Sequence, residues 1–453
     1  MKKIIFFCVI LNLFIANSIN SQQVASDDIR ELKEEMRKMK TDFNLVLNEL
    51  RKLKSENENL RKMVLNLPSN ASPGSNPPIK YNETHSDLIA EELPKIKVNE
   101  NMNLKIFGEA TGVIQASMGN KPQNTTNAEG SLDLYFESKI TQNGIFFVDL
   151  EAVGNDGPNS VLGTYSGVNA DAGSNNGTVH VLEALYEQSF LSEKFIFSIG
   201  KIDLTNYYDT NTVANDENIQ FLSPAFVNSA VLDIPGNGPG VTAKYCFTDW
   251  LDFSSGIQSG DEDGNFVFDR ICWISEFDFK YKINNLDGNT RTYFTLNGNR
   301  HSNENPVEND ESAGFGLSTD QKLSEKITWF GRVGFRDDHI SESETEWAWS
   351  SGLQIDDPLQ FRPNDVLGIA FGQVKPNREV MTNLKRMNFD LDETGNNQNE
   401  KRAGIESNAE VYYRIKINDK FTISPDIQII FNPSGDETED NIVITGIRGH
   451  YTY

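Results

Sequence analysis

From about residue 104 to Tyr453, apolar and polar side chains alternate in short runs that turns and loops separate. In the final run, Ile447 and Tyr451 share one parity, whereas Arg448 and His450 fall on the other. Side chains of a strand point alternately to opposite faces, so these two sets lie on opposite faces of a sheet. Repeated around a closed sheet, an apolar outer face and a polar inner face are typical of a transmembrane β-barrel.

The alternation predicts sixteen strands, and the connections between them support a barrel. The predicted strand centres lie near residues 111, 135, 149, 184, 199, 243, 255, 277, 295, 314, 331, 350, 369, 411, 426 and 447. Short connections such as 142–144 and 418–420 alternate with longer ones, as in barrels with short periplasmic turns and long outer loops. We therefore expect residues 104–453 to form an all-β fold, a sixteen-stranded antiparallel transmembrane β-barrel. The alternative is a soluble β-sandwich, which does not require this alternation of connection lengths.

Two segments before the barrel carry other signals. Residues 1–21 predict a secretory signal peptide, because Lys2 and Lys3 precede an apolar run that ends in small and polar residues. The run is shorter than the ~20 residues that a membrane-spanning helix needs. Residues 68–103 begin with a stretch rich in Ser, Asn, Pro and Gly, which predicts a flexible linker.

Residues 27–67 carry a heptad repeat that predicts a parallel α-helical coiled coil in the periplasm. In four of five pairs, an acidic g position faces a basic e position. The residues expected to join the helices are Leu32, Leu50, Leu53, Asn57 and Leu60. Asn57 at an a position favours a dimer, and a single amphipathic helix packed on its own barrel is the alternative. The helix would extend roughly 60 Å at 1.5 Å per residue.

The net charge of −25 bears on which partners and solutes the barrel can take. The signal carries +2 and residues 27–67 carry +1, which leaves −28 for the remainder. An acidic balance argues against nucleic acid as a partner, which requires a basic surface, and it disfavours an anion pore. The alternative is that most carboxylates lie on outer loops and keep the surface soluble.

Two cysteines, Cys246 and Cys272, remain after the predicted signal is removed. Both have inward parity but lie on strands two apart. Adjacent strands are about 4.8 Å apart, so we expect free thiols, with a disulfide as the alternative. Neither a Cys-x-x-Cys pair nor a Cys-His spacing predicts a metal site. No catalytic arrangement stands out among five histidines, and no cofactor is expected.

The longest polar insertion, about residues 201–240, joins the fifth and sixth predicted strands and is the third outer loop. We expect it to fold into the lumen, with Phe221 and Phe226 packing against the inner wall. The residues predicted to line the constriction are Asp209, Asn211, Asn215, Asp216 and Glu217. An outer lid of the same composition is the alternative.

Inward parity also predicts charged residues of the pore wall. They are Glu183, Glu187, Glu276, Asp278, Arg332, Arg336, Arg414 and Arg448. Arginines donate and carboxylates accept hydrogen bonds, so together they suit the hydroxyl groups of a sugar. The alternative is that these charges pair with each other and wet the lumen.

The long loop resembles the carbohydrate-selective porin family (OprB type). The motifs are Gly200-Lys201-Ile202-Asp203, then Asp209 to Glu217, then Gln220-Phe221-Leu222, and then Asn237-Gly238-Pro239-Gly240. Near the end, Tyr412-Tyr413-Arg414, Pro425-Asp426-Ile427-Gln428 and Asn432-Pro433 also look like the family. The resemblance implies a sixteen-stranded porin through which sugars diffuse, and family members with an amino-terminal coiled coil exist.

These observations lead us to expect an outer-membrane porin for passive diffusion of small hydrophilic solutes, most of all carbohydrates. The expected partners are outer-membrane lipid, small sugars and two further copies of the chain, because general porins are homotrimers. The alternatives are a tether that joins the outer membrane to peptidoglycan or another cell-wall component through the coiled coil, and a general cation-preferring porin. An enzyme and an anion porin are disfavoured.

Overall fold

The computed structural model describes residues 96–99, 102–119, 124–173, 177–260, 271–298, 312–336, 345–359, 361–376 and 404–453. The predicted signal peptide, the coiled coil with Leu32, Leu50, Leu53, Asn57 and Leu60, and most of the linker lie outside these residues. Within the described ranges, no helix is long and apolar enough to cross a membrane.

Strands account for most of the described chain. In order they are β1 (Ile96–Asn99), β2 (Met102–Met118), β3 (Thr125–Thr141), β4 (Gly144–Val153), β5 (His180–Phe190), β6 (Phe195–Ile202), β7 (Gly238–Thr248), β8 (Leu251–Ser259), β9 (Ile271–Ile283), β10 (Leu286–Asn297), β11 (Ser312–Ser324), β12 (Ile327–Arg336), β13 (Thr345–Asp356), β14 (Val366–Pro376), β15 (Glu406–Asn418), β16 (Phe421–Phe431) and β17 (Ile442–Thr452). The one α-helical turn, α1, is Pro224–Val227 of the described residues.

Strands β2 to β17 form a closed antiparallel barrel. Each pairs with its neighbours in the chain, and β17 pairs with β2, for example Ile447 with Ile114 and Thr452 with Glu109. Because the barrel is closed, no strand has an unpaired edge. The backbone N–H and C=O groups can therefore form hydrogen bonds in the hydrocarbon region, where no water is available. The predicted sixteen-stranded barrel is confirmed in the described residues, and each predicted strand centre falls inside one of these strands.

The end of the predicted linker differs from the structure. Residues 96–99 form β1, an antiparallel partner of β2 that places Ile96 opposite Ile106 and Lys97 opposite Lys105. Pro94 lies just before a stretch in which Ile96 and Val98 alternate with polar residues, and this alternation is typical of a strand. A proline is tolerated at the start of a strand. The flexible-linker prediction is therefore wrong for these four residues.

The two faces of the barrel wall differ in chemistry as the alternation predicts. On β17, Ile447 is 48% exposed on the outside and Arg448 is 1% exposed on the inside. Polar groups on the outer face bond across strands, as where the Trp273 indole donates to Ser255 Oγ at 2.9 Å. An indole N–H without a partner would be costly in hydrocarbon, so this bond keeps the outer surface compatible with lipid.

The connections alternate in length around the barrel. Residues 142–143, 284–285 and 419–420 form tight turns at one end, whereas the loops at the other end are longer. Two of the long loops contact the inner wall. We name the β4–β5 loop, residues 154–179, loop L2 and the β6–β7 loop, residues 203–237, loop L3.

Candidate functional site

Arginines of the barrel wall hold the backbone of L3. The guanidinium of Arg332 on β12 donates from Nη1 to Phe226 O at 2.8 Å and from Nη2 to Asp209 O at 2.9 Å. Its Nε lies 3.2 Å from Asp209 Oδ2, and both side chains are almost fully buried. Five donors in a rigid fork allow one arginine to bind two carbonyls and a carboxylate at once.

Arginines of two further strands do the same for the middle of L3. Arg448 on β17 donates from Nη2 to Gln220 O at 2.7 Å and from Nη1 to Glu217 O. Arg414 on β15 donates from Nη1 to Ile219 O at 3.1 Å. Three arginines predicted for the pore wall therefore contact L3 directly.

Wall carboxylates accept hydrogen bonds from L3 amides. Glu410 on β15 accepts from Leu222 N at 2.6 Å and Ser223 N at 2.9 Å, and Glu276 on β9 accepts from Asp209 N at 2.8 Å. Charge-assisted bonds of this kind are about twice as strong as neutral ones. L3 is thus held by donors and acceptors of the wall.

The other predicted wall residues pair with neighbours near the ends of L3 or on the sheet. Glu183 accepts from Asp203 N at 2.7 Å, and Glu187 accepts from Ser198 Oγ at 3.1 Å. Arg336 donates to Val231 O and pairs with Asp233. Asp278 Oδ1 lies 4.0 Å from Arg291 Nε.

An apolar cluster completes the contact between L3 and the wall. Phe221 packs on Phe330 with ring centroids 5.6 Å apart, and on Tyr412 edge to face at 5.0 Å. The cluster consists of Val213, Ala214, Phe221, Phe226, Phe330, Val366, Ala370 and Tyr412. Full burial of one such side chain contributes about 1.5–3 kcal/mol, so the cluster adds to the contacts that hold the loop.

The residues predicted for the constriction divide into two groups. Asp209 is fully buried against Arg332, and Asn211 Nδ2 donates to Thr319 O at 3.1 Å on the wall. Asn215, Asp216 and Glu217 are half-buried further along L3. Asp216 Oδ1 accepts from Asn218 N at 2.8 Å, which is a turn within the loop itself, and burial raises the pKa of Glu217 to about 8 with the help of the neighbouring Asp216 charge.

Loop L2 also enters the lumen, which the sequence analysis missed. Glu406 on β15 accepts from Tyr165 N at 2.9 Å, Ser166 N at 2.7 Å and Ser166 Oγ at 2.6 Å. L2 then contacts L3, since Ala170 N donates to Leu222 O at 2.7 Å. The available signal was that Glu406 and Glu410 share the inward parity of Arg414.

Several carboxylates lie on the inner face of strands β2 to β5. We call this set the acid face, and it consists of Glu109, Asp133, Asp149, Glu151 and Glu183. Register places Asp133 opposite both Glu109 and Glu151, and Asp149 opposite Glu183. Asp171 of L2 adds a further carboxyl in this region, and its burial raises its pKa to about 7.

Cysteine and metal chemistry add nothing to this arrangement. Cys246 on β7 and Cys272 on β9 are free thiols, as the strand spacing predicts. Among the described residues, no group of three or more His, Cys, Asp or Glu side chains is arranged to hold a metal ion.

Part of the chain matches a known family of porins. Residues 276–453 match the model of the carbohydrate-selective porin, OprB family. The predicted resemblance to this family is confirmed. The matched residues include the motifs of β15 and β16, whereas those of residues 200–240 lie outside the match. A closed β-barrel with an apolar outer face fits an outer membrane.

Curated relatives agree with the family match over parts of their length. Porin B of Pseudomonas aeruginosa is 28% identical over 99 residues, which is 21% of this chain and 22% of that protein. Porin AaxA of Chlamydia abortus is 21% identical over 299 residues, which is 65% of this chain and 61% of that protein. The chain therefore spans less than two thirds of these relatives.

Solved structures support the fold. A high-pH structure of Pseudomonas putida OprB covers 78% of this chain and 94% of its own, with a TM-score of 0.66 and 15% sequence identity. At that identity the likeness concerns the barrel alone. Porins of this family and fold are channels rather than enzymes.

Proposed function

We propose that the chain is an outer-membrane porin through which small hydrophilic solutes, carbohydrates above all, diffuse passively. The observation that carries the proposal is L3, which Arg332, Arg414 and Arg448 hold against the inside of a closed barrel. A loop held inside a barrel narrows the lumen and leaves the strand pairing of the barrel unchanged. The family match and the named porin relatives support the same function.

Selection in such a channel follows from width, charge and hydrogen bonding at the narrowest point. Half-buried Asn215, Asp216 and Glu217 offer amide and carboxylate groups that suit sugar hydroxyls. Asp209 and Asn211 contribute indirectly in this proposal, because they fix the loop that carries the other three residues.

Liposome swelling tests the function directly. Purified protein in liposomes should admit pentoses and hexoses quickly and larger oligosaccharides progressively more slowly. Equal rates for all sizes would contradict a loop-narrowed lumen, and absence of swelling with folded protein would contradict the channel itself.

We further propose a homotrimer with the coiled coil of residues 27–67 in the periplasm. The heptad repeat supports association, and general porins are trimers. Cross-linking in detergent distinguishes three copies from two. Leu50→Glu with Leu53→Glu should weaken association if the coiled coil contributes to it, whereas an unchanged oligomer would assign assembly to the barrel alone.

A tether to the cell wall is the second candidate function, and the same heptad repeat favours it. Full-length protein that sediments with isolated peptidoglycan would support the tether if deletion of residues 27–67 abolished the sedimentation. The tether would stand beside the channel or replace it, depending on the swelling result.

A further inference from the structure

One connection at the tight-turn end of the barrel is longer than the others. Nine residues, 357–365, join β13 to β14, and we name this connection the long turn. In the described barrel, the other connections at that end, such as 249–250, 325–326 and 419–420, have two residues, or four at 191–194. Two residues are enough to join antiparallel strands, so the additional length of the long turn serves another purpose.

The tip of the long turn presents apolar side chains to the surroundings. Phe361 is 78% exposed, the largest exposure of any bulky apolar side chain in the described residues, and Leu359 is 40% exposed. Arg362 N donates to Leu359 O at 2.9 Å, which closes the tip into a turn. Apolar surface in water is unfavourable, and exposed apolar surface of this kind marks an interaction site.

Buried hydrogen bonds hold the long turn in one conformation. Asp365 is fully buried, and its Oδ1 accepts from Lys416 N at 2.9 Å. Its Oδ2 accepts from Tyr413 OH at 3.0 Å and from Arg362 Nε at 2.6 Å. Asp357 N also donates to Asp365 O at 2.9 Å, which joins the two ends of the turn. Hydrogen bonds to a charged group are about twice as strong as neutral ones, so the turn holds its apolar tip in a fixed place.

These bonds tie the long turn to the outer side of the barrel rim. Tyr413 pairs with Leu367 and shares the outward parity of Val411, which is 42% exposed. Arg414 has the other parity and reaches L3 in the lumen. Asp365 shares the parity of Leu367, so the turn contacts the lipid-facing side of β15. The apolar tip is therefore continuous with the apolar outer wall, where Ile369 is 42% exposed.

The polar groups beside the tip suit the headgroup region of a bilayer. The Arg362 side chain is 41% exposed, although its Nε and Nη2 are bound to Asp365 and to Lys416 O. Arginine keeps its charged end in water while its stem covers apolar surface, and tyrosine is enriched where membrane meets water. An apolar tip next to Arg362 and Tyr413 thus matches the boundary between acyl chains and phosphates.

We propose that the long turn is a membrane anchor that places Phe361 and Leu359 in the periplasmic leaflet of the outer membrane, with Arg362 at the level of the lipid phosphates. The occupant is the phospholipid surface, because the tip continues the lipid-facing wall. The proposal rests on the outer-membrane location proposed above and not on the passage of sugars. The anchor fixes the depth of this side of the barrel in the bilayer.

A fluorescent label at the tip tests the anchor. Phe361→Cys is combined with Cys246→Ser and Cys272→Ser, labelled with the fluorophore NBD, and reconstituted in vesicles of phosphatidylethanolamine and phosphatidylglycerol. Lipid with a nitroxide at carbon 5 of an acyl chain should quench the label about twofold or more, since interfacial apolar groups lie roughly 5–10 Å deep at the headgroup–acyl boundary.

Asp419→Cys in the same background is the matched control. Asp419 lies in a two-residue turn at the same end of the barrel, and its side chain is 96% exposed. The nitroxide lipid should leave this label unquenched, whereas iodide in the water should quench it. Leu359→Cys provides a second reporter that retains Phe361, and it should be quenched by the lipid as Phe361→Cys is.

Two results would overturn the anchor. One is equally weak quenching by the nitroxide lipid at positions 359, 361 and 419. The other is a label at 361 that neither the lipid nor iodide reaches, which would assign the tip to a protein contact.

Failure of the channel gives a different result. Heat-dependent migration in gels first establishes that each labelled barrel is folded. A folded protein that does not conduct but whose label at 361 is quenched by lipid would contradict the channel and support the anchor. A conducting protein without that quenching would retain the channel and overturn the anchor.

Discussion

Two groups of strands in the barrel wall use charge in different ways. Strands β12, β15 and β17 carry Arg332, Arg414 and Arg448, whose guanidinium groups donate hydrogen bonds to carbonyls of L3. Strands β2 to β5 carry the acid face, where like charges lie opposite each other. Inward charge alone therefore does not define a pore wall, because one set of charges holds L3 while the other consists of like charges opposed across neighbouring strands.

The largest expected effect comes from breaking the Arg332–Asp209 pair. Arg332→Met leaves Asp209 buried without its partner, which costs roughly 3–5 kcal/mol for a buried ion pair. Unfolding in urea, followed by tryptophan fluorescence, measures the loss. Addition of Asp209→Asn to this variant should recover part of the stability, and no recovery would show that the pair is not the reason for the loss.

The next effect concerns the carboxylate that receives L3. Glu410→Gln retains the shape but loses the charge that accepts from Leu222 N and Ser223 N, at a cost of about 1.5–3 kcal/mol for bonds to a charged group. Single-channel recordings should show larger current fluctuations as L3 loosens. Glu406→Gln is the matched variant on the same strand, and it should loosen L2 while leaving Leu222 and Ser223 in place.

A smaller effect is expected from protonation of the acidic side. Burial raises the pKa of Asp171 to about 7, so this carboxyl is charged at pH 8 and neutral at pH 5.5. Cation selectivity should therefore fall as the pH is lowered through 7, and Asp171→Asn should flatten that dependence. The groups that face Asp171 are Glu129, Ser131 and Asp133 of β3, Glu151 of β4, Arg448 of β17, and Asp216 and Glu217 of L3. The same pH dependence in Asp171→Asn would assign the titration to one of these neighbours.

The smallest effect is expected from an ion pair at one end of the barrel. Lys326 Nζ lies 3.1 Å from Asp357 Oδ2 at the end of the barrel with the tight turns, where the Lys326 side chain is exposed and the Asp357 side chain is partly exposed. Lys326→Ala should change the free energy of unfolding by about 0–1 kcal/mol, because exposed pairs contribute little. A loss as large as that of Arg332→Met would show that exposure does not decide the strength of these pairs.

The barrel was predictable because its signals are local. Alternation along each strand and short turns such as 142–143 are read within ten residues, and the inward parity of Arg332 and Arg448 follows from the same rule. The partners of those arginines are not local. Asp209 and Arg332 are 123 residues apart, and Ser166 and Glu406 are 240 residues apart. The entry of L2 into the lumen depends on such distant contacts, so no single stretch of sequence indicates it.

The roles of the residues predicted for the constriction could not be separated from the sequence either. Composition drew attention to residues 209–217, but it does not separate a carboxylate that faces water from one that meets a buried arginine. Asp209 and Asp216 are the same residue type in one loop, and only the structure assigns the first to Arg332 and the second to the turn at Asn218.

Single-channel conductance in a planar bilayer, with maltodextrins added to one side, tests the central claim most directly. We expect a steady conductance that maltodextrins block, because sugars enter the lumen beside L3. Steady conductance without block would retain the channel and contradict its assignment to carbohydrates. No conductance from folded protein would contradict the account as a whole.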